Sequence, residues 1–170
     1  LINPHALSII TSSLALGTIT AIASHHWILA WTSLEVNTLA IIPLMTKTPH
    51  PRAIEAATKY FLIQAAASAL ILFSSTMNAW LTGEWAINNQ TDDISATLLL
   101  IAISMKMGIA PLHFWLPDVL QGLTIKTGLI LSTWQKLAPI ALFLQISQSV
   151  NLNLLLIFGL LSTVLGGWGG

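Results

Sequence analysis

The sequence has little charge and no cysteine. Only 7% of its 170 residues are Asp, Glu, Lys or Arg, against about 25% in ordinary soluble domains. Six basic and six acidic side chains leave a formal net charge of zero, so no net field attracts nucleic acid or acidic partners. The absence of cysteine excludes disulfide scaffolds, thiol catalysis and cysteine-ligated zinc or iron-sulfur sites. This composition argues strongly against a water-soluble globule.

Short motifs of common catalytic and nucleotide-binding sites are also missing. The sequence contains no HExxH, GxGxxG, P-loop or GxSxG stretch, and GGWGG at residues 166–170 lacks the strand and helix context of a phosphate loop. We therefore expect neither a cofactor nor a metal ion in this chain. Any catalysis in which it takes part must be proton movement that is driven from elsewhere.

Long apolar runs are what the sequence has in abundance, since 55% of its residues are hydrophobic. Six runs stand between charged or Pro, Gly and Asn-rich segments, at residues 6–23, 27–46, 56–82, 94–115, 127–146 and 152–168. A membrane-spanning helix needs about 20 mostly apolar residues. The sequence therefore predicts an all-α polytopic membrane protein, with a single transmembrane domain of about six helices over residues 1–170.

The surface charges separate by side once these spans are numbered. One side holds Lys47, Arg52, Lys59 and Lys126, and the other holds Glu84, Asp92 and Asp93. Lys and Arg concentrate on the cytoplasmic or matrix side of membrane proteins. The pattern therefore predicts that the N-terminus lies on that side.

Tryptophans lie near the ends of the predicted spans. They are Trp27, Trp80, Trp85, Trp115 and Trp168. Indole rings favour the membrane-water interface, where one end is apolar and the other is hydrated. We expect these five rings at headgroup level.

Three of the twelve charges lie near the middle of predicted spans. They are Glu35 in the second run, Lys106 in the fourth and Lys136 in the fifth. An ionised group at a helix centre costs about 2.5 to 3.5 kcal/mol on insertion scales. An inert ion-pair cluster is one explanation, but such clusters contribute little stability compared with apolar residues. Ionisable residues inside membranes usually carry function, and one acid with two bases can exchange protons.

Each of the two lysines is close to a proline within the same run. Pro111 and Pro139 have no amide hydrogen, so the carbonyls four residues earlier, those of Met107 and Gln135, lose their helical partners. Inside a bilayer, a freed carbonyl is tolerated only against protein or a wet cavity. We therefore expect a helix break at each proline, with water or a lysine ammonium nearby.

Polar side chains accompany the three midspan charges on the same predicted helix faces. They are Thr32 and Thr38 around Glu35, Ser132 and Thr133 before Lys136, and His113 two turns after Lys106. A neutral imidazole accepts a proton on one nitrogen and releases it from the other, so His113 is a candidate link in a proton relay. A simple interfacial side chain is the alternative for this histidine.

A resemblance to a known family is carried by six stretches. They are INPHAL, HHWILAWTSLEVNTLAIIPLM, PRAIEAATKYFLIQAAASALILFSS, KMGIAPLHFWLPDVLQG, LSTWQKLAPIALF and GLLSTVLGGWGG. These stretches resemble the subunit 2 family of animal mitochondrial NADH dehydrogenase, a membrane subunit of NADH:ubiquinone oxidoreductase (respiratory complex I). KMGIAPLHFWLP also marks the wider superfamily of antiporter-like subunits and cation/proton antiporters.

The resemblance implies a fold and a location. Members are built as two inverted five-helix repeats, so residues 5–147 correspond to the first repeat and residues 152–170 to the opening helix of the second. Members continue for about as many residues again, so we expect an N-terminal fragment whose second half is missing. The implied location is the mitochondrial inner membrane, multi-pass, with the N-terminus on the matrix side.

The resemblance also implies an enzyme, a translocase in which this chain holds no redox site. The assembled complex uses NADH, FMN, iron-sulfur clusters and ubiquinone, and the implied partners are the lipid bilayer and other membrane subunits, including neighbouring antiporter-like ones. Within this family Glu35, Lys106 and Lys136 map onto a proton relay. Two alternatives stay open at this point: a component of a redox-independent cation/proton antiporter, and a structural membrane spacer with an inert charge cluster.

Overall fold

Helices make up most of the chain in the computed structural model, which describes residues 4–46, 50–83, 85, 93–109, 114–146 and 152–169. The helices are α1 Pro4–Ala23, α2 Trp27–Met45, α3 Pro51–Thr82, α4 Asp93–Met107, α5 Trp115–Gln121, α6 Ile125–Thr133, a 3-10 turn Trp134–Lys136, α7 Leu137–Ile146 and α8 Leu152–Gly169. The chain is an all-α polytopic membrane protein, as its apolar runs predict.

Helix ends on opposite sides of the bundle are fixed by local contacts. His26 and His50 precede α2 and α3, and the Nδ1 atom of each accepts the backbone N–H two residues later at 3.1 Å. Such acceptors satisfy amides that a helix leaves unpaired at its start. At the other end of α3, Gly83 adopts a left-handed φ of 77° that glycine allows without a steric penalty.

Four helical stretches in the described part of the chain are long and apolar enough to cross a membrane. They are Pro4–Ala23, Trp27–Met45, Pro51–Thr82 and Ile125–Ile146, with mean hydropathies of 1.3 to 1.8. The other two apolar runs form shorter helices at Ile94–Met107 and Leu152–Trp168. Each of the six runs therefore contains a helix, although two of these helices are shorter than a regular membrane span.

The fourth run stops being helical eight residues earlier than its apolar composition predicts. Gly108 has a φ of 75°, and the N–H groups of Gly108 and Ile109 both donate to the carbonyl of Ser104, at 2.9 and 3.1 Å. This left-handed turn ends α4 at Met107, one residue after Lys106. The break therefore lies near Lys106 as expected, and its visible cause is the glycine, while Pro111 lies outside the described residues.

The fifth run is interrupted at Lys136 itself. Between α6 and α7 the helix tightens into a 3-10 turn, in which the N–H of Leu137 donates to the carbonyl of Trp134. Pro139 follows in the first turn of α7, where it has no N–H to offer the carbonyl of Gln135. In this turn, just before the proline, donor and acceptor are three residues apart instead of four. This tighter hydrogen bonding compensates locally for the missing donor.

The bundle is held by contacts of α1 with α2 and α7, of α3 with α2, α4 and α5, and of α4 with α7. At one end, Arg52 donates to Gln121 at 2.9 Å, and Lys59 contacts Glu55 at 3.1 Å and Asp118 at 3.9 Å. Lys126 lies at the same end, because it lines a surface pocket with the last residues of α2. Three of the four basic residues assigned to one side therefore share an end, and Lys47 lies outside the described residues.

Two of the five tryptophans are buried inside the bundle. Trp27 is completely buried and Trp115 is 8% exposed. Both rings pack in hydrophobic clusters, and the depth expected for the five rings stays a prediction. Trp80 and Trp168 are exposed near helix ends, and Trp85 stacks on His26 with ring centroids 5.3 Å apart.

Gly122 gives a test of how α5 is docked on α3. A Cβ atom at this position would lie 2.5 Å from Ala56 Cβ and 2.7 Å from the Arg52 carbonyl oxygen. We expect Gly122→Ala to destabilise the protein by about 1 to 3 kcal/mol, because the two helices must separate to accept the methyl group. Thermal unfolding of the full-length protein in detergent measures this loss. Gly159→Ala is the matched control, since nothing lies within 4 Å of that site; equal losses for both variants would contradict close docking at Gly122.

Candidate functional site: a cavity between two broken helices

Lys106 and Lys136 line the same internal cavity, which has a volume of about 20 Å³. Its walls come from α2, α3, α4, α5, α6, the 3-10 turn and α7. The lining residues are Leu34, Asn37, Thr38, Tyr60, Gln64, Lys106, Trp115, Leu131, Gln135, Lys136 and Pro139. A cavity of this size holds a water molecule when polar groups surround it. The fold therefore places two lysines from separate helices at one small cavity.

Lys106 is buried in the last turn of α4, with 6% of its surface exposed. Its Nζ donates to Gln64 Oε1 at 3.4 Å, a long hydrogen bond to a neutral amide on α3. No carboxylate in the described residues forms a direct ion pair with it. Glu35 nevertheless interacts with Lys106 electrostatically across the intervening space. The lysine is thus held by an amide and influenced by a more distant carboxylate.

Lys136 occupies the 3-10 turn, half-buried, and reaches across to the end of α4. Its Nζ donates to the carbonyl oxygen of Met107 at 2.8 Å. A second freed carbonyl of α4, that of Met105, accepts from the indole Nε1 of Trp115 at 2.9 Å. The C-terminal end of a helix carries partial negative charge and attracts cations. The Met107 carbonyl, which was expected to need water or an ammonium group as its donor, therefore receives its hydrogen bond from Lys136.

Glu35 lies on α2 beside the cavity without lining it. Its side chain is partly exposed, yet its Oε1 atom is buried and accepts no hydrogen bond from the described residues. A buried carboxylate oxygen without a donor is costly. Glu35 therefore has unused capacity for a hydrogen bond or an ion pair, and Lys106 is the cation with which it interacts.

Uncharged polar residues of the cavity were missed by the sequence analysis. Asn37 Oδ1, Gln64 Nε2 and Gln135 Nε2 are buried and have no hydrogen-bond partner within the described residues. The other end of the Asn37 amide donates to Thr18 Oγ1 of α1 at 3.3 Å. Amides are rare in apolar runs, so the sequence carries a signal for these three residues beside the charges and hydroxyls.

Tyr60 closes the cavity on the side of α5. Its ring meets Trp115 edge-on, with centroids 5.8 Å apart. Thr38 of α2 lines the same cavity.

The remaining sequence candidates divide clearly. Thr38 and Pro139 line the cavity with the two lysines, whereas three other candidate hydroxyls do not reach it. Thr32 donates to the carbonyl of Ile28 at 2.7 Å, and Ser132 and Thr133 donate to that of Leu129 at 3.2 and 2.6 Å. The Thr38 hydroxyl likewise donates to the carbonyl of its own helix, that of Leu34, at 2.9 Å. The roles expected for Thr32, Ser132 and Thr133 stay predictions. His113 and Pro111 lie outside the described residues.

Comparison with known families identifies the fold. The family model for "NADH:quinone oxidoreductase/Mrp antiporter, TM" matches residues 24–170. The chain belongs to this family. Curated relatives called NADH-ubiquinone oxidoreductase chain 2 are 66% identical in Aquarana catesbeiana, 61% in Salmo salar and 63% in Xenopus laevis, each over 99% of this chain. The chain spans about half the length of these relatives, 48%, 48% and 49% respectively.

Solved structures of antiporter-family complexes share the same helix arrangement. A chain of respiratory complex I from Thermus thermophilus matches 99% of this chain and 40% of its own length, with a TM-score of 0.91 and 28% identity. A chain of the Mrp complex from a Dietzia species matches 79% of this chain and 28% of its own length, with a TM-score of 0.70 and 17% identity. The second likeness concerns the fold alone.

Trp115→Phe tests whether the indole stabilises the broken end of α4. The variant keeps a ring in the cluster and removes the N–H that donates to Met105. We expect a loss of about 1 to 3 kcal/mol, because a buried carbonyl is left without its donor. Thermal unfolding of the full-length protein measures it, with Trp80→Phe as the control, because Trp80 is 86% exposed. Unchanged stability of Trp115→Phe would show that the Met105 carbonyl finds another donor.

Proposed function

We propose that this chain is part of the subunit 2 of mitochondrial NADH:ubiquinone oxidoreductase. In this role it contributes to proton translocation across the inner mitochondrial membrane, coupled to electron transfer from NADH to ubiquinone. Its partners are other membrane subunits, including neighbouring antiporter-like ones, while the redox groups reside elsewhere in the complex. Support comes from the 66% identity over 99% of the chain to a named relative and from the match to a complex I chain.

The corresponding domain organisation is an antiporter-like repeat at residues 5–147, followed at residues 152–170 by the opening helix of a second repeat. The break in α4 at Gly108 and the 3-10 turn before α7 fit such a repeat, since broken helices at the membrane midplane recur in ion transporters. The match to only 40% of the Thermus thermophilus chain is consistent with one repeat of a longer subunit.

The shared cavity of Lys106 and Lys136 is the observation that carries the mechanism. In the proposed relay, Glu35 supplies the counter-charge of the Lys106 ammonium. When a signal from the quinone end of the complex moves Glu35 away, Lys106 loses that counter-charge and releases its proton toward Lys136. The return of Glu35 reverses the bias. Because these groups are coupled, they titrate as a set rather than one by one.

A cavity water is the proposed carrier between the lysines. Asn37 Oδ1 offers an acceptor, and the Nε2 groups of Gln64 and Gln135 offer donors, each buried and without another partner among the described residues. A buried water makes two to four contacts, so two of these atoms together with the two lysines complete its shell. The proton leaves Lys106 Nζ for the water oxygen while the water passes another of its protons to Lys136 Nζ, which is a neutral amine at that moment. The Met107 carbonyl then stabilises the Lys136 ammonium.

The relay is tested by Glu35→Gln and Lys106→Ala in the intact complex, reconstituted in liposomes. Both variants should keep NADH oxidation and lose the share of proton pumping that passes through this subunit, because each removes a charge that the relay requires. Protons pumped per NADH oxidised is the measurement. Lys59→Ala is the control, since Lys59 is an exposed lysine with surface ion pairs.

Two outcomes would overturn this relay. Full pumping stoichiometry in both variants, with altered assembly only, would favour the structural spacer. Purification of the chain in an assembly without flavin or NADH oxidation, with sodium/proton exchange lost in the variants, would favour the redox-independent antiporter.

The N-terminus is proposed to lie on the matrix side, because Arg52, Lys59 and Lys126 share the end of the bundle at which α2 finishes. The 170 residues contain no cysteine, so a single introduced thiol reports its own side. We expect an impermeant thiol reagent to label Gln121→Cys from the matrix side and Trp80→Cys from the opposite side. The reverse labelling pattern would invert the proposed orientation.

A further inference from the structure

We propose that Gln64 is a positioning residue that holds Lys106 in both of its protonation states. This inference rests on the proposed function, in which Lys106 gives up and regains a proton. It assigns a role to a neutral residue of α3 that the Glu35, Lys106 and Lys136 relay does not include.

The position of Gln64 is fixed by its helix. Tyr60 and Ser68 lie one turn on either side of it on α3, and all three are buried, with 3 to 4% of their surfaces exposed. This face of α3 therefore looks into the protein, and Gln64 is the member of the face that reaches Lys106. Its Nε2 atom is buried and has no hydrogen-bond partner in the described residues. Gln64 also lines the cavity.

The amide group suits a lysine that changes protonation. An ammonium only donates hydrogen bonds, whereas a neutral amine also offers a lone pair that accepts one. A glutamine carries one acceptor oxygen and one donor NH₂ on the same planar group. In the structure Oε1 accepts from Lys106 Nζ; a half-turn of the amide brings Nε2 to the neutral amine instead.

A carboxylate in the same place would not serve both states equally. An ionised carboxylate only accepts hydrogen bonds and favours the charged lysine. Glu35 has that role, and it keeps its distance in this structure, since it forms no direct ion pair with Lys106. Gln64 thus forms a neutral hydrogen bond with Lys106, whereas Glu35 supplies a negative charge that does not touch the lysine. The division lets the charge be withdrawn while Lys106 stays in place.

Two nearly isosteric variants in the intact complex test this role. Gln64→Glu keeps the acceptor, loses the donor and adds a charge; Gln64→Met keeps the volume and loses both polar atoms. We expect both to oxidise NADH and to pump fewer protons per NADH. Raising the pH should recover pumping in Gln64→Glu, because alkaline medium favours release of the proton that the added carboxylate retains, and should not recover it in Gln64→Met. The other ionisable groups around Lys106 are Glu35, Lys136 and Tyr60, and neither variant alters them.

The matched control is Gln121→Glu, the same substitution at an exposed glutamine, which should pump like the wild type at every pH. Full pumping in Gln64→Glu at neutral pH would overturn the inference, because a carboxylate in contact with Lys106 should retain its proton. Wild-type pumping in both Gln64 variants, with losses in Glu35→Gln and Lys106→Ala, would remove Gln64 from the relay and leave the proposed function standing. Full pumping in all four would overturn the proposed function itself. If Gln64→Met does not assemble, the pH series of Gln64→Glu decides alone.

Discussion

The last backbone carbonyls of α4 have no hydrogen-bond donor within their own helix. Bulk water cannot supply one, because this end of α4 lies inside an apolar bundle. Each must find a donor within the protein or incur the cost of an unpaired buried group. The Trp115 indole and the Lys136 ammonium fill this need at the carbonyls of Met105 and Met107. Much of the site follows from that requirement, since it draws α5 and the 3-10 turn toward α4 and brings Lys136 to the cavity of Lys106.

In the cavity, the residue that contacts Lys106 is neutral, and the residue that carries the opposite charge lies further away. Two ammonium groups that share a small cavity repel each other unless water, amides and a counter-charge compensate. The helix end offers partial negative charge to both lysines, Gln64 contacts Lys106 without charge, and Glu35 acts from further away. A closed ion pair between Glu35 and Lys106 would be a more static arrangement. In the proposed relay, the absence of that direct contact among the described residues lets a displacement of Glu35 change the charge balance at Lys106.

Sequence reasoning succeeded where a single residue carried a large energetic penalty. Lys106 and Lys136 stand out in any apolar run, because charge inside a membrane is expensive, and the structure places both at one cavity. Neutral polar residues incur smaller penalties, so Asn37, Gln64 and Gln135 passed without notice. Thr32 was favoured from helical spacing alone, although a threonine hydroxyl is readily satisfied by its own helix and then carries no information about neighbours.

The amino-acid sequence by itself determined the solvent of this protein and its helical class, because the cost of polar groups in lipid depends on local composition. Only the tertiary structure decided which groups meet. Helix α4 ends at Gly108 rather than at the end of its apolar run, because one left-handed glycine outweighs hydropathy there. Trp115 turns inward to that end, and Lys136 crosses to a carbonyl 29 positions earlier in the chain. Contacts of this kind join residues that are remote in sequence, and no local pattern contains them.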